Sequence, residues 1–336
     1  MHILFRVQLL IMFSFIGSQL LAVGCVSGDC INGFGIYENG NKERYKGTWK
    51  TGRANGLGEF IDKDGGIYTG QWRMGEMTGS GEDRYANGNI YNGHFLNYKP
   101  HGFGAFKFTN GDYYKGNYHH GVKQGQGLYF RNNGDKYEGH WKAGKKDGKG
   151  IYYYLNGNKY IGVFKNGVKN GHGTFYWKKG GTYKGSFLAG SFSGKGTRNY
   201  ANGNRYYGAY KNGARNGQGE VFFKNGDYFK GNFANNKRAG QGEFKWSDGG
   251  VYKGQFYLNM FHGIAIRTYA NGEVYKGSFR NNQRNGTGTF LSNDGKSYFG
   301  EWKNNQKHGE GICVVNSRKK IQCYWEEDVL IWHKTL

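Results

Sequence analysis

Residues able to do covalent or metal chemistry are few in this chain, and their spacing does not favour it. Four cysteines occur among 336 residues: Cys25 and Cys30 near the start, Cys313 and Cys323 near the end. Neither interval is that of a zinc-binding pair. Nine residues separate Cys313 from Cys323. A hairpin turning near Arg318 would set the two opposite each other, with Cβ atoms ~4.5–5.5 Å apart, and a disulfide would close after a small adjustment. The alternatives are two reduced thiols, or a bond from Cys313 to Cys30. His101, His262 and His308 each stand just before a glycine. That recurrence is one of turn structure rather than of a metal site or a catalytic base. Gly190-Ser191-Phe192-Ser193-Gly194-Lys195-Gly196 is one residue short of a phosphate-binding loop and lacks the hydroxyl residue after its lysine. No catalytic, cofactor-binding or metal-binding residues are expected, and no enzyme.

Charge offers a different chemistry. Lys and Arg number 47 against 24 Asp and Glu, a net charge of +23. Such a chain attracts polyanions: anionic lipid headgroups, acidic polysaccharide or nucleic acid. Much of the charge falls into two columns spaced by 23 residues or multiples of it. One holds Lys46, Lys115, Lys184, Lys230, Lys253 and Lys276; the other holds Lys50, Arg73, Lys142, Lys165, Lys211, Arg280 and Lys303. A stripe of like charge suits a long anionic surface better than a small ligand. The plainer alternative is a solvent face that is simply rich in lysine.

The elements that position these columns must be strands. The chain has 62 Gly, one Pro, 28 Tyr, 24 Phe and 8 Trp. Scarce proline excludes collagen, abundant aromatics exclude a disordered linker, and glycine at this density excludes a helical protein. From Tyr45 a tyrosine recurs every 23 residues to Tyr298, with Phe229 in place of one. Glycine follows each anchor by two residues and again by eleven, an aromatic follows by four, and a third glycine follows by thirteen except at Ala265. Tyr, Gly and aromatic at alternate positions share one face of a strand. The unit reads as a β-hairpin with Gly-x-Gly opening the returning strand. Asn-Gly or Asp-Gly pairs such as Asn87-Gly88 and Asp294-Gly295 would close the turns. Both basic columns fall on the face away from the anchors. The aromatics Phe108, Tyr154, Trp177, Tyr200, Phe223, Trp246 and Tyr269, placed in the returning strand, would line a groove for a partner. The anchors and the rings four residues on are structural, stacking on neighbours while keeping polar tips in water.

Residues 1–24 read as a signal peptide or an N-terminal membrane anchor. Val7 to Val23 carry no charge, a run short for a spanning helix and ordinary for a signal peptide. The positive charge at the N-terminal flank would send the rest of the chain out of the cytoplasm either way. Leu20-Leu21-Ala22-Val23-Gly24-Cys25 resembles a bacterial lipobox, which makes Cys25 a lipidation candidate. Plain secretion with Cys25 in a disulfide is the alternative.

The 23-residue pattern resembles the MORN repeat. The resemblance implies an all-β fold: an elongated, curved or twisted single-layer antiparallel sheet of tandem hairpins. Residues 25–44 would form a linker and partial N-terminal repeat, 45–320 twelve repeats, and 321–336 a C-terminal cap. Enzymatic members of the family carry their activity on a separate domain, so the resemblance implies a non-enzymatic scaffold. The partner would be a protein or an anionic membrane, envelope or polysaccharide surface, with nucleic acid disfavoured by export. An enzyme acting in the groove is one alternative. Another is an intracellular scaffold for phosphoinositide membranes, should the N-terminus not be a signal.

Overall fold

The computed structural model describes residues 24–316 and 319–336. Residues 1–23 of the segment expected to be a signal peptide or anchor, and the turn expected near Arg318, lie outside these residues. Among the described residues there is no helix and there are 28 strands; within each of two compact units the strands pair antiparallel with their sequence neighbours. The first strand, Cys25–Gly28, pairs with Phe34–Glu38, and the last, Val329–Thr335, pairs with Lys319–Glu326. Two compact units divide the chain. One runs to Asn156 and includes Phe164–Gly167; the other comprises Gly157–Val163 and Val168–Leu336.

Within each unit the repeat is built the same way. A seven-residue outgoing strand such as Lys136–Lys142 is followed by a nine-residue returning strand, Lys145–Tyr153. A two-residue turn joins them, with φ of 48° at Ala143 and 76° at Gly144. In the second unit Asn212 and Gly213 take 51° and 82°. Two positive φ values in succession make the primed turn that matches the twist of paired strands. The Asn-Gly pairs have another place than the sequence pattern predicts. Asn87-Gly88 and its equivalents sit in the longer loops between repeats, where Gly88 alone has positive φ, 81°, and its N–H donates to the Tyr85 carbonyl at 2.8 Å.

The Gly-x-Gly pair lies inside the returning strand, and its two glycines serve different ends. Gly139 faces Gly150 while Trp141 faces Lys146, so the returning strand carries two extra residues in a bulge. Gly148, the first of the pair, sits in that bulge with φ 95°. Gly150, the second, lies beneath the anchor ring: a Cβ there would stand 2.5 Å from the Tyr137 hydroxyl. The tyrosine therefore folds down along its own strand over two facing glycines. Its hydroxyl donates to the His140 carbonyl at 2.9 Å, and Tyr275 makes the same bond to Ser278 at 3.1 Å in the second unit.

This arrangement corrects the expectation that the anchors keep a polar tip in water. Tyr68, Tyr91, Tyr114, Tyr160, Tyr183, Tyr206, Tyr252 and Tyr275 are fully buried, because the hydroxyl is satisfied by backbone and not by solvent. The rings four residues on complete the burial. Trp141 stands edge-on to its own anchor Tyr137 at 5.4 Å and to the preceding anchor Tyr114 at 5.2 Å. Phe279 does the same with Tyr275 at 5.1 Å and Tyr252 at 5.3 Å. Edge-to-face contacts of this kind add ~0.5–1.5 kcal/mol each beyond area burial. The ladder they form takes the place of a second layer.

Both ends carry a disulfide. Cys25 is bonded to Cys30, which leaves its sulfur unable to form the thioether that lipidation requires. Cys313 is bonded to Cys323, with Cα atoms 6.1 Å apart. These two are diagonal rather than opposite. Cys313 faces Ile321, and Cys323 faces Gly311 in the position of the usual glycine, because the register is displaced by two residues from a turn centred on Arg318. The final strand, Val329–Thr335, is exposed along its whole length.

Candidate binding faces

Side chains one and five residues beyond each anchor point away from the aromatic face, since they alternate with buried ones along the strand, as in Val251–Tyr257. Every member of the two basic columns is exposed. Two have carboxylate partners: Lys230 lies 3.4 Å from Glu220, and Lys253 3.1 Å from Glu243. Lys245 also reaches Glu243, at 2.9 Å, and its hydrogen bond leads the effects that hold the Glu243 carboxyl below the usual range. Exposed pairs like these stabilise little, so the columns remain available to a larger anion.

The groove aromatics lie mostly one residue past the returning strand, at the first position of the inter-repeat loop. Phe108 follows Lys99–Lys107 and accepts a bond from Gly111 N–H at 3.0 Å. Trp177, Phe223, Trp246 and Tyr269 accept the equivalent bonds from Gly180, Gly226, Gly249 and Gly272. Tyr200, which does the same for Gly203, is the last residue of its strand. Each is half-buried, Tyr154 included. They prolong the aromatic face: Phe108 packs on Phe106 at 4.4 Å, Tyr154 on Tyr152 at 4.6 Å, Trp177 on Phe175 at 4.7 Å and Trp246 on Phe244 at 4.8 Å.

A third set of cations lies on this same face, where the sequence pattern predicts only aromatics. Lys123 sits 4.7 Å from the Tyr114 ring centroid, 4.4 Å from Tyr129 and 5.1 Å from both Trp141 and Phe108. Lys146 sits 5.4 Å from Tyr137 and 4.5 Å from Tyr152. Burial pulls both ammonium groups down to about 8. The second unit continues the pattern with Lys169, Arg215, Arg238, Arg284 and Lys307, each over the rings of its own repeat. Phe192 and Phe261 occupy that position in two repeats, and there Arg198 and Arg267 supply the cation six residues later. Every repeat anchored from Tyr114 to Tyr298 thus places one half-buried cation among its rings.

Comparison with protein families matches the MORN repeat to twelve tandem segments, from 45–67 to 298–314. The chain belongs to the MORN repeat family. No curated protein matches it. Among solved structures it is similar to the TCP10 domain of Danio rerio CPAP in complex with a peptide of Danio rerio STIL. That pair shares 14% identity with a TM-score of 0.39, over 63% of this chain and 93% of that one. The Drosophila melanogaster SAS-4 (dCPAP) TCP domain, in complex with a proline-rich motif of Ana2, gives 13% identity and a TM-score of 0.30 over 46% and 85%. A Staphylococcus aureus virginiamycin B lyase gives 10% and 0.13 over 90% and 87%.

His101, His262 and His308 of the MORN array stand at the bulge in the returning strand, not in a turn. His101 lies in Lys99–Lys107 and His262 in Met260–Thr268. With His308 they keep a buried Nδ1 that has no hydrogen-bond partner. No group of three or more metal-ligating side chains is assembled among the described residues. The inner cations were detectable in the sequence: a Lys or Arg stands nine residues after seven of the twelve MORN anchors. Counting alternate residues from the anchor assigns that position to the wrong face. The two-residue turn reverses the count, and Lys123 stands directly opposite Tyr118.

Proposed function

We propose that this MORN protein is an exported, membrane-associated binding scaffold without catalytic activity. It would hold a protein partner, or an anionic membrane or envelope surface, against its exposed basic columns. The observation that carries this reading is the exposure of all thirteen column cations on the side of the sheet away from the ring ladder. Because Cys25 is bonded to Cys30, a tether would come from a retained N-terminal segment rather than from lipid on that cysteine.

Salt titration of binding to anionic vesicles and to acidic polysaccharide tests the electrostatic part. Binding should weaken steeply as salt rises. Replacing Lys50, Arg73, Lys142 and Lys165 by Gln should weaken it without unfolding the array. Equal binding to neutral and anionic surfaces at low salt would reduce the columns to a solvated face. Mass spectrometry of the native N-terminus tests export: an intact Met1 on a cytosolic protein would remove that part and leave the intracellular reading.

A further inference from the structure

In the second unit the inner arginines are held in a way that leaves them short of acceptors. The guanidinium of Arg198 lies on Trp177, 3.7 Å from the ring centroid, with Tyr200 at 4.8 Å. Arg267 repeats the arrangement on Trp246 at 3.8 Å and Tyr269 at 4.8 Å. The Nε of Arg198, Arg267 and Arg284 is buried without a hydrogen-bond partner. Arg215, Arg238 and Arg284 each donate one terminal N–H to a backbone carbonyl, of Asn236, Asn259 and Asn305, at 2.6, 2.9 and 2.5 Å. None of these five arginines forms an ion pair with a carboxylate among the described residues. Asp248 attracts Arg267 from beyond ion-pair range.

A guanidinium has five N–H donors in a fixed fork, and a half-buried cation gains most when a carboxylate completes that fork. Cation–π contact offsets part of the desolvation but supplies no acceptor. The spacing narrows the ligand. One cation per repeat means one per two strands, ~10 Å apart. Three residues of a polyproline-II chain advance ~9.3 Å and bring the side chain back to the same side. A bilayer presents its headgroups on a plane, which the exposed outer columns meet more readily than arginines recessed between rings. A sugar chain stacks on open ring faces, and arginine covers those of Trp177 and Trp246.

We propose that the aromatic face of the second unit binds an extended acidic segment of a partner protein. The segment would carry a carboxylate at about every third residue, each received by one arginine between aromatic rings. The proposal rests on the scaffold reading above and adds the face used and the chemistry of the partner.

The test uses the full chain and three probes. One is a fluorescein-labelled peptide of six Glu-Pro-Ala units. A second has the same composition with its glutamates in one block, and the third is a phosphatidylserine-containing vesicle. The spaced peptide should bind more tightly than the block peptide. Arg198→Gln combined with Arg267→Gln should weaken it roughly tenfold or more, as expected for losing two charge-assisted forks. Lys211→Gln combined with Lys276→Gln should change it by less than about threefold, since these exposed lysines stand on the other face. Arg198→Lys with Arg267→Lys keeps the charge but neither the fork nor its flat stacking on Trp177 and Trp246, and should also lose most of the affinity. On the unmutated protein, the spaced peptide should protect Arg198 and Arg267 from phenylglyoxal, mapped by mass spectrometry. Failure of the spaced peptide to bind or protect, equal binding of the block peptide, or protection by vesicles instead would overturn the proposal. Absence of vesicle binding alongside intact peptide binding would leave it standing and remove the outer-column reading.

Discussion

Gly139 and Gly150 face each other so closely that a Cβ on Gly139 would stand 2.5 Å from the Gly150 Cα. It would also meet the Lys149 carbonyl oxygen at 2.6 Å and the Tyr137 hydroxyl at 2.7 Å. Two of these three obstacles are backbone, which cannot rotate aside. Gly139→Val is therefore expected to cost about 3 kcal/mol, the upper part of the overpacking range, read from urea denaturation. Amide exchange should rise in Val122–Phe130 and Lys145–Tyr153 while Ile67–Arg73 stays protected, because contacts in such arrays are nearest-neighbour. Loss of protection throughout the unit would contradict this.

Reduction of the Cys313–Cys323 bond removes a short covalent loop at the C-terminal end. The double substitution Cys313→Ser, Cys323→Ser is expected to lower stability by roughly 2–3 kcal/mol on the chain-entropy account. Cys323 is fully buried against Gly311, so exchange should rise first in Lys319–Glu326 and Val329–Thr335. Non-reducing peptide mapping of native protein checks the premise; recovery of both thiols free would refute it.

Stability should pass through a maximum near pH 10. Burial pulls Lys123 and Lys146 down to about 8 in the folded chain, below their unfolded value. Under pH 8 both states hold these protons and the penalty is constant. Between pH 8 and ~10 the unfolded state binds more protons, so stability rises with pH. Above that, buried tyrosines act in the opposite direction: Tyr183, Tyr206, Tyr275 and Tyr298 are pushed up to about 12 by burial. The unfolded chain then loses tyrosine protons first and gains stability relative to the fold. Denaturant midpoints across pH check the curve, and Lys123→Met with Lys146→Met should flatten the rise while leaving the fall.

Leu258 occupies the first turn position with φ 50° and is 46% exposed. A leucine in this left-handed region is strained by ~1–2 kcal/mol, whereas asparagine tolerates it. Asn212, Asn235, Asn281 and Asn304 hold the same place in other repeats. Leu258→Asn should therefore raise stability by roughly 0.5–1 kcal/mol, and Asn281→Leu should lower it by a similar amount, both read as shifts in denaturation midpoint.

The fold was legible because each column of the 23-residue period repeats one side chain with one task. Tyr, Gly and ring at alternate positions specify a strand with one occupied face, and twelve copies leave no freedom of register. The candidate surface was legible on the outgoing strand, where alternation alone places Lys115 on the face opposite to Tyr114. It was hidden on the returning strand, because the face of Lys123 depends on the length of a turn that the Asn-Gly signal assigns to the wrong loop. The Cys313 register was hidden for a related reason: the pairing irregularity between Val314 and Asn316 has no signature in residue type. The buried tyrosine hydroxyls depend on rings folding along their own strand, which no spacing rule encodes.

Pairing between sequence neighbours also sets the order in which this protein can fold. Each strand needs only the one before it, across a connection as short as Ala143-Gly144, so the loop-closure entropy at every step is small and does not grow with chain length. A hairpin leaving a ribosome or a translocation channel can dock on its predecessor at once, with no wait for a distant C-terminal segment. Contact order stays low despite an all-β composition, and the slow assembly usual for β proteins does not apply.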